Sequence, residues 1–93
     1  MIEAAGDRRV VSGAMNLAVA AELLAAGSAG LGEGETVFDL AAVTEVDSSS
    51  IAVIFGWLRA AQRKQWRLRI ENPPQDLLSL AEVYGVKELL PLA

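Results

Sequence analysis

Residues 43 to 58 read VTEVDSSSIAVIFGWL and set one aspartate and three consecutive serines between two apolar runs. A second aspartate, Asp39, lies upstream in TVFDL. Two chemistries are open to such a set. Carboxylates at strand ends can hold a magnesium ion, with Ser48 or a water molecule as nucleophile. A hydroxyl at a helix start can instead carry a phosphate, because free backbone N–H groups and the positive end of the helix dipole accommodate its charge. The first chemistry needs a base. The chain has no histidine and no cysteine, and no lysine stands near either aspartate in the sequence. Asp39 and Asp47 are already accounted for as turn and cap residues. An enzyme is therefore not expected, nor is a metal or a cofactor.

The elements that must position these residues follow from patterning. Gly6-Asp7 marks a turn between a short strand, Ile2 to Ala5, and the strand RRVVSG, residues 8 to 13. Asn16 is placed to cap the helix LAVAAELLAA, which Gly27 ends, and Glu22 is that helix's only charge. A helix so apolar all round is buried on more than one side or offers a face to something else. GSAGLGEGE, residues 27 to 35, is a flexible connection and not a phosphate cradle, since it precedes a strand and carries Glu33 and Glu35. TVFDL, residues 36 to 40, is a buried strand with an inserted aspartate, followed by a short loop. Ile51, Ile54, Phe55, Leu58 and Ala61 then form one face of a helix over residues 51 to 65, with Arg59, Gln62 and Arg63 on the outer face. WRLRIE is a strand with one wet face. Pro73 and Pro74 open a last helix with Leu77, Leu80, Ala81 and Tyr84 on one face and Gly85 as its left-handed stop. The order β-β-α-β-α-β-α implies right-handed crossovers and a mainly parallel sheet with one antiparallel strand.

Composition sets the outer limits. Ninety-three residues form one small domain, residues 1–93, with a single core. Without cysteine or histidine there are no disulfides and no zinc site of the usual ligand types. A net charge of -4 disfavours nucleic acid. Five of the eight basic residues, Arg59, Arg63, Lys64, Arg67 and Arg69, cluster late in the chain and read as a solvated face. An apolar share of 53% with only 5% aromatics points to a partner surface, which a second copy of the chain in a homodimer could also supply. The start MIEAAGDRR lacks the basic then apolar pattern of a signal peptide, and the run Val10 to Ala21 is too short to cross a bilayer. A soluble cytoplasmic protein is expected.

At the serine junction the chain leaves the sheet at Val46 and a helix must begin by about Ser49, with its first N–H groups unpaired. Asp47 and Ser48 can both cap them, and Ser49 and Ser50 suit a helix start. Ser48 adds position to capping. It stands with Asp39 and Asp47 near the carboxyl edge of the parallel strands, where ligands and partners of open α/β sheets bind.

The string DLAAVTEVDSSSIAVI, residues 39 to 54, resembles the core motif of STAS domains, the family of anti-sigma-factor antagonists and sulfate-transporter tails, where a D-[ST]-[ST]-G-hydrophobic segment opens the second helix. The resemblance runs from about Val10 to Leu92. It implies an α/β STAS fold: a mixed, mainly parallel four-stranded sheet packed with about three helices. In phosphorylated members the serine after the aspartate is modified, which here is Ser48, and Ser50 stands where the family usually has glycine. The ending NPPQDLLSLAEVYGVKELLP, residues 72 to 91, is similar to the MlaB branch, small STAS proteins of the bacterial phospholipid-transport ABC system. That likeness implies a non-catalytic subunit that binds the cytoplasmic ABC transporter ATPase and supports its assembly or activity. It would meet the inner membrane only through the complex. Its partner-binding residues would be Asp47, Ser48, Ser49, Ser50 and Ile51, with Asp39 in support. The alternative the resemblance leaves open is an anti-sigma-factor antagonist, phosphorylated on Ser48 by an anti-sigma factor kinase.

Overall fold

The computed structural model describes residues 1–92; Ala93, the last residue of the expected domain, lies outside them. The elements are β1 (Ile2–Ala5), β2 (Arg8–Met15), a 3-10 turn (Leu17–Val19), α1 (Ala20–Ala29), β3 (Glu35–Val46), α2 (Ser48–Arg63), β4 (Arg67–Glu71), α3 (Gln75–Val83) and a second 3-10 turn (Lys87–Leu89). The four strands lie in the order β1-β2-β3-β4. β1 runs antiparallel to β2, and the other two pairs are parallel, as the alternation of strands and helices predicts.

Strand alternation sorts the two faces of this sheet. Val11, Phe38, Leu40, Leu68 and Ile70 turn inward to a single core that also holds Ile54, Trp57 and Leu77. Arg8, Asp39, Arg69 and Glu71 turn the other way and form a charged web, with Arg8 bonded to Asp39 at 3.1 Å and to Glu71 at 2.6 Å. The central core contact is Phe38 against Trp57, ring centroids 4.4 Å apart. The Trp57 indole N–H donates to the Leu23 carbonyl at 3.0 Å, which ties α2 to α1 and satisfies a polar group in a fully buried side chain.

That contact explains why Gly27 does not end α1. A Cβ at Gly27 would lie 2.1 Å from the indole nitrogen of Trp57, so the glycine is there for close helix packing, and the helix runs on to Ala29. The expected start also shifts. The Asn16 side chain caps nothing and donates instead to Glu45, and a 3-10 turn intervenes before α1 begins at Ala20. β3 does not give way to a loop after Leu40. It stays paired with β2 as far as Met15 opposite Val46, through two register shifts, with Gly13 between them in the left-handed region at φ 80°. In α3, Leu77 and Ala81 are buried as predicted, but the helix ends at Val83 and Tyr84 is 55% exposed, beyond the end of the core. The stop itself is as read. Gly85 sits at φ 71° with its N–H on the Glu82 carbonyl, and Val86 donates to Ala81, which together close a Schellman motif.

Candidate functional site

The serine junction forms where β3 ends. Val46 is held opposite Met15, and Asp47 is extended at φ -134° before α2 starts at Ser48. One Asp47 carboxylate oxygen accepts the Ser49 N–H at 2.8 Å, which is an N-cap. The other accepts the Leu17 N–H at 3.1 Å, so a single side chain caps both α2 and the turn that leads into α1. The Leu17 N–H foremost, together with Ser49, holds the Asp47 carboxyl below the usual range. Asp47 is thus ionised and fully engaged by its own backbone surroundings.

The three serines separate by direction. Ser50 is fully buried, and its hydroxyl donates to the Asp47 carbonyl at 2.6 Å. Ile51 is also buried, at 7% exposure, within the core. As residues that touch a partner, Ser50 and Ile51 are therefore corrected: a helix start projects its first residues in turn around the axis, and these two point inward. The Ser50 side chain is absorbed by the cap and adds no bulk to the surface. Ser49 is half-buried, and Ser48 alone of the three is exposed. Asp47 itself positions the junction.

Asp39 is not at this edge. It lies mid-strand in β3, paired across to Glu71, seven strand residues before Val46 and, since only five β2 residues span that stretch, roughly 16 Å from it. Its carboxylate accepts the Asn72 side-chain amide at 3.0 Å, the Ala41 N–H at 2.9 Å and Arg8 at 3.1 Å, and Asn72 foremost lowers its pKa. The supporting role expected of Asp39 is corrected accordingly, because β3 is longer than its apolar segment suggested. At that separation Asp39 and Asp47 cannot share one ion.

Sequence reasoning missed the neighbours of the junction. Leu17, brought there by Asp47, is 75% exposed. A groove of about 330 Å³ opens beside Val46, lined also by Asp76, Ser79, Leu80 and Val83 of α3. Val83 is 81% exposed. No local pattern marks Leu17, since its neighbour Asp47 is thirty residues away in the chain. Along α2, Ala52 and Arg59 are exposed and Phe55 half-buried on the line that Ser48 begins. Among the described residues no helix is long and apolar enough to cross a membrane.

The family model described as Mlab, STAS domain, matches residues 3–91. No curated protein matches the chain. Among solved structures, the chain is similar to the anti-sigma factor antagonist SpoIIAA in its unphosphorylated form, with a TM-score of 0.65 and 13% identity over 88% of this chain and 80% of that one. It is also similar to Mglu, with a TM-score of 0.59 and 23% identity over 81% of this chain. There it spans about a fifth of the larger protein, 20% of its length. These likenesses lie in the fold.

Proposed function

The chain belongs to the Mlab-type STAS family, and from that premise we propose that it is a non-catalytic subunit that docks on the cytoplasmic ATPase of a phospholipid-transport ABC complex and supports its assembly or activity. STAS proteins of this kind are typically regulatory, and their domains generally mediate protein–protein contacts. The observation that carries the docking reading is the exposed Ser48 hydroxyl, at the first residue of α2, beside an Asp47 whose carboxylate is already used. A small neutral group stands there on a rigid element, and the cap fixes its position to the end of the sheet. Such a spot suits recognition of a complementary surface, and its neighbouring carboxylate, held by two backbone N–H groups, is a poor base for bond-making chemistry. In the complex the protein would sit peripheral to the inner membrane.

Co-purification tests this reading. The ATPase subunit is expected to accompany the wild-type protein and the Ser48→Ala variant and to be lost from Ser48→Glu, which brings an unpaired charge into the interface. Normal association of Ser48→Glu contradicts the assignment of this surface.

A second reading is favoured by the SpoIIAA-like fold together with Ser48 at a helix N-terminus, where a phosphate meets free N–H groups and the dipole. It is an anti-sigma-factor antagonist switched by phosphorylation of Ser48. Intact mass after incubation with an anti-sigma factor kinase separates the two: one added phosphate, absent in Ser48→Ala, supports the switch, and an unchanged mass supports the transporter subunit.

A further inference from the structure

The helix that begins at Ser48 carries a second feature at its other end. Ser48, Ala52, Phe55, Arg59 and Arg63 fall within a narrow angular sector of α2, one above another, and make a line about 22 Å long. Ser48, Ala52, Arg59 and Arg63 are exposed and Phe55 is half-buried. The helix contains no acidic residue between Ser48 and Arg63. Leu24 of α1 flanks the line midway, where its methyl group fills the notch left by Gly56, and Leu17 flanks it beside Asp47.

The two arginines are unlike most of the chain's other cations. Arg8, Arg69 and Lys87 hold carboxylates, Arg9 is spent on the Gly30, Gly6 and Arg8 carbonyls, and Lys64 lies over the Trp66 ring. Arg59 and Arg63 form no ion pair among the described residues, although the chain has twelve acidic side chains against eight basic ones. Arginines near a helix C-terminus suit its dipole, but that does not require both to share the outward line that Ser48 starts.

Resting on the docking reading above, we propose that the footprint of the partner runs along the whole outward line of α2. It is neutral and apolar at the Ser48 end and basic at the Arg59–Arg63 end, and the ATPase surface that fits it presents carboxylates opposite the two arginines. The polarity of this strip fixes the direction in which the partner lies along α2. Charge at its far end speeds encounter and rejects partners with a basic face there.

The test is the affinity of the intact protein for the purified ATPase subunit of the same bacterium's phospholipid-transport complex, measured at about 0.05 M and about 0.5 M salt, across which screening shortens from beyond 10 Å to a few Å. Wild-type binding is expected to weaken as salt rises. Arg59→Glu/Arg63→Glu is expected to bind at least tenfold more weakly at low salt, with its far-UV spectrum unchanged and its thermal midpoint lowered, because glutamate suits the helix C-terminus less well than arginine, but still above the assay temperature. Arg67→Glu, which alters another exposed cation on β4, is expected to bind as wild type. Wild-type binding that the double reversal leaves intact overturns this inference and spares the docking reading. A loss in Arg67→Glu that reaches half that of the double reversal on a logarithmic scale overturns it too, since the change in net charge, two units against four, then explains the effect. No binding by the wild-type protein overturns both.

Discussion

Ser48 and Ser50 are two positions apart and have opposite assignments, and substitution separates them. Glutamate at position 48 places a negative charge at the start of α2, which the helix dipole favours by about 0.3–1 kcal/mol. Thermal stability of Ser48→Glu is therefore expected to hold or rise slightly while partner affinity falls more than tenfold. Ser50→Gly removes a buried hydroxyl from the Asp47 carbonyl and places glycine in the first turn. Together these are expected to cost about 1–2 kcal/mol in chemical denaturation, with partner affinity unchanged. Asp47 gives a pH signature. Its folded pKa is depressed, so the ionised form stabilises the junction at pH above the ordinary 3.8, and this contribution is lost as pH falls through the lowered value. The amide protons of Leu17 and Ser49, both bound to this carboxylate, are expected to shift together in an acid NMR titration with one midpoint below 3.8. Separate midpoints contradict the shared cap. The cap on α2 is legible in the sequence because Asp-Ser-Ser-Ser precedes an apolar run. The inward turn of Ser50 and the arrival of Leu17 are not, because each depends on how α2 and α1 dock.

Helix α1 and strand β3 show where element boundaries escape local patterning. Gly27 has the signature of a helix stop, yet it is the site where α1 admits the Trp57 indole. Gly27→Ala is expected to destabilise the protein by about 1–3 kcal/mol, because the added methyl meets a ring locked by its bond to Leu23. Gly56→Ala meets the end of the Leu24 side chain at 2.4 Å and is expected to cost less, since Leu24 is 38% exposed and can turn aside. Urea denaturation of both variants checks the order, and the reverse order contradicts this account of the α1–α2 contact. The outer half of β3 lacks strong alternation, and only its pairing with β2 makes it a strand, so Asp39 looked closer to the junction than it is. The Gly85 stop, in contrast, is written in consecutive residues and was readable.

The molecule as a whole divides into two surfaces with different uses of charge. On the open side of the sheet, Arg8, Asp39, Arg69 and Glu71 neutralise one another. Along α2 the charge is unpaired and lies beside apolar groups. The fold class was legible because strands and helices alternate with clear periods, and right-handed crossovers leave few arrangements for four strands. The proposed docking face was legible only at Ser48, since the rest of it is assembled from α1, α2 and the end of β3. The most direct measurement places a photo-crosslinking amino acid at Ala52, one turn along α2 from Ser48, or at Glu3, exposed on β1 and paired through Val10 with Asp39 on the charged side of the sheet, in the presence of the ATPase subunit. Position 52 is expected to give the crosslinked product and position 3 none; a product from position 3 with none from position 52 contradicts docking through α2.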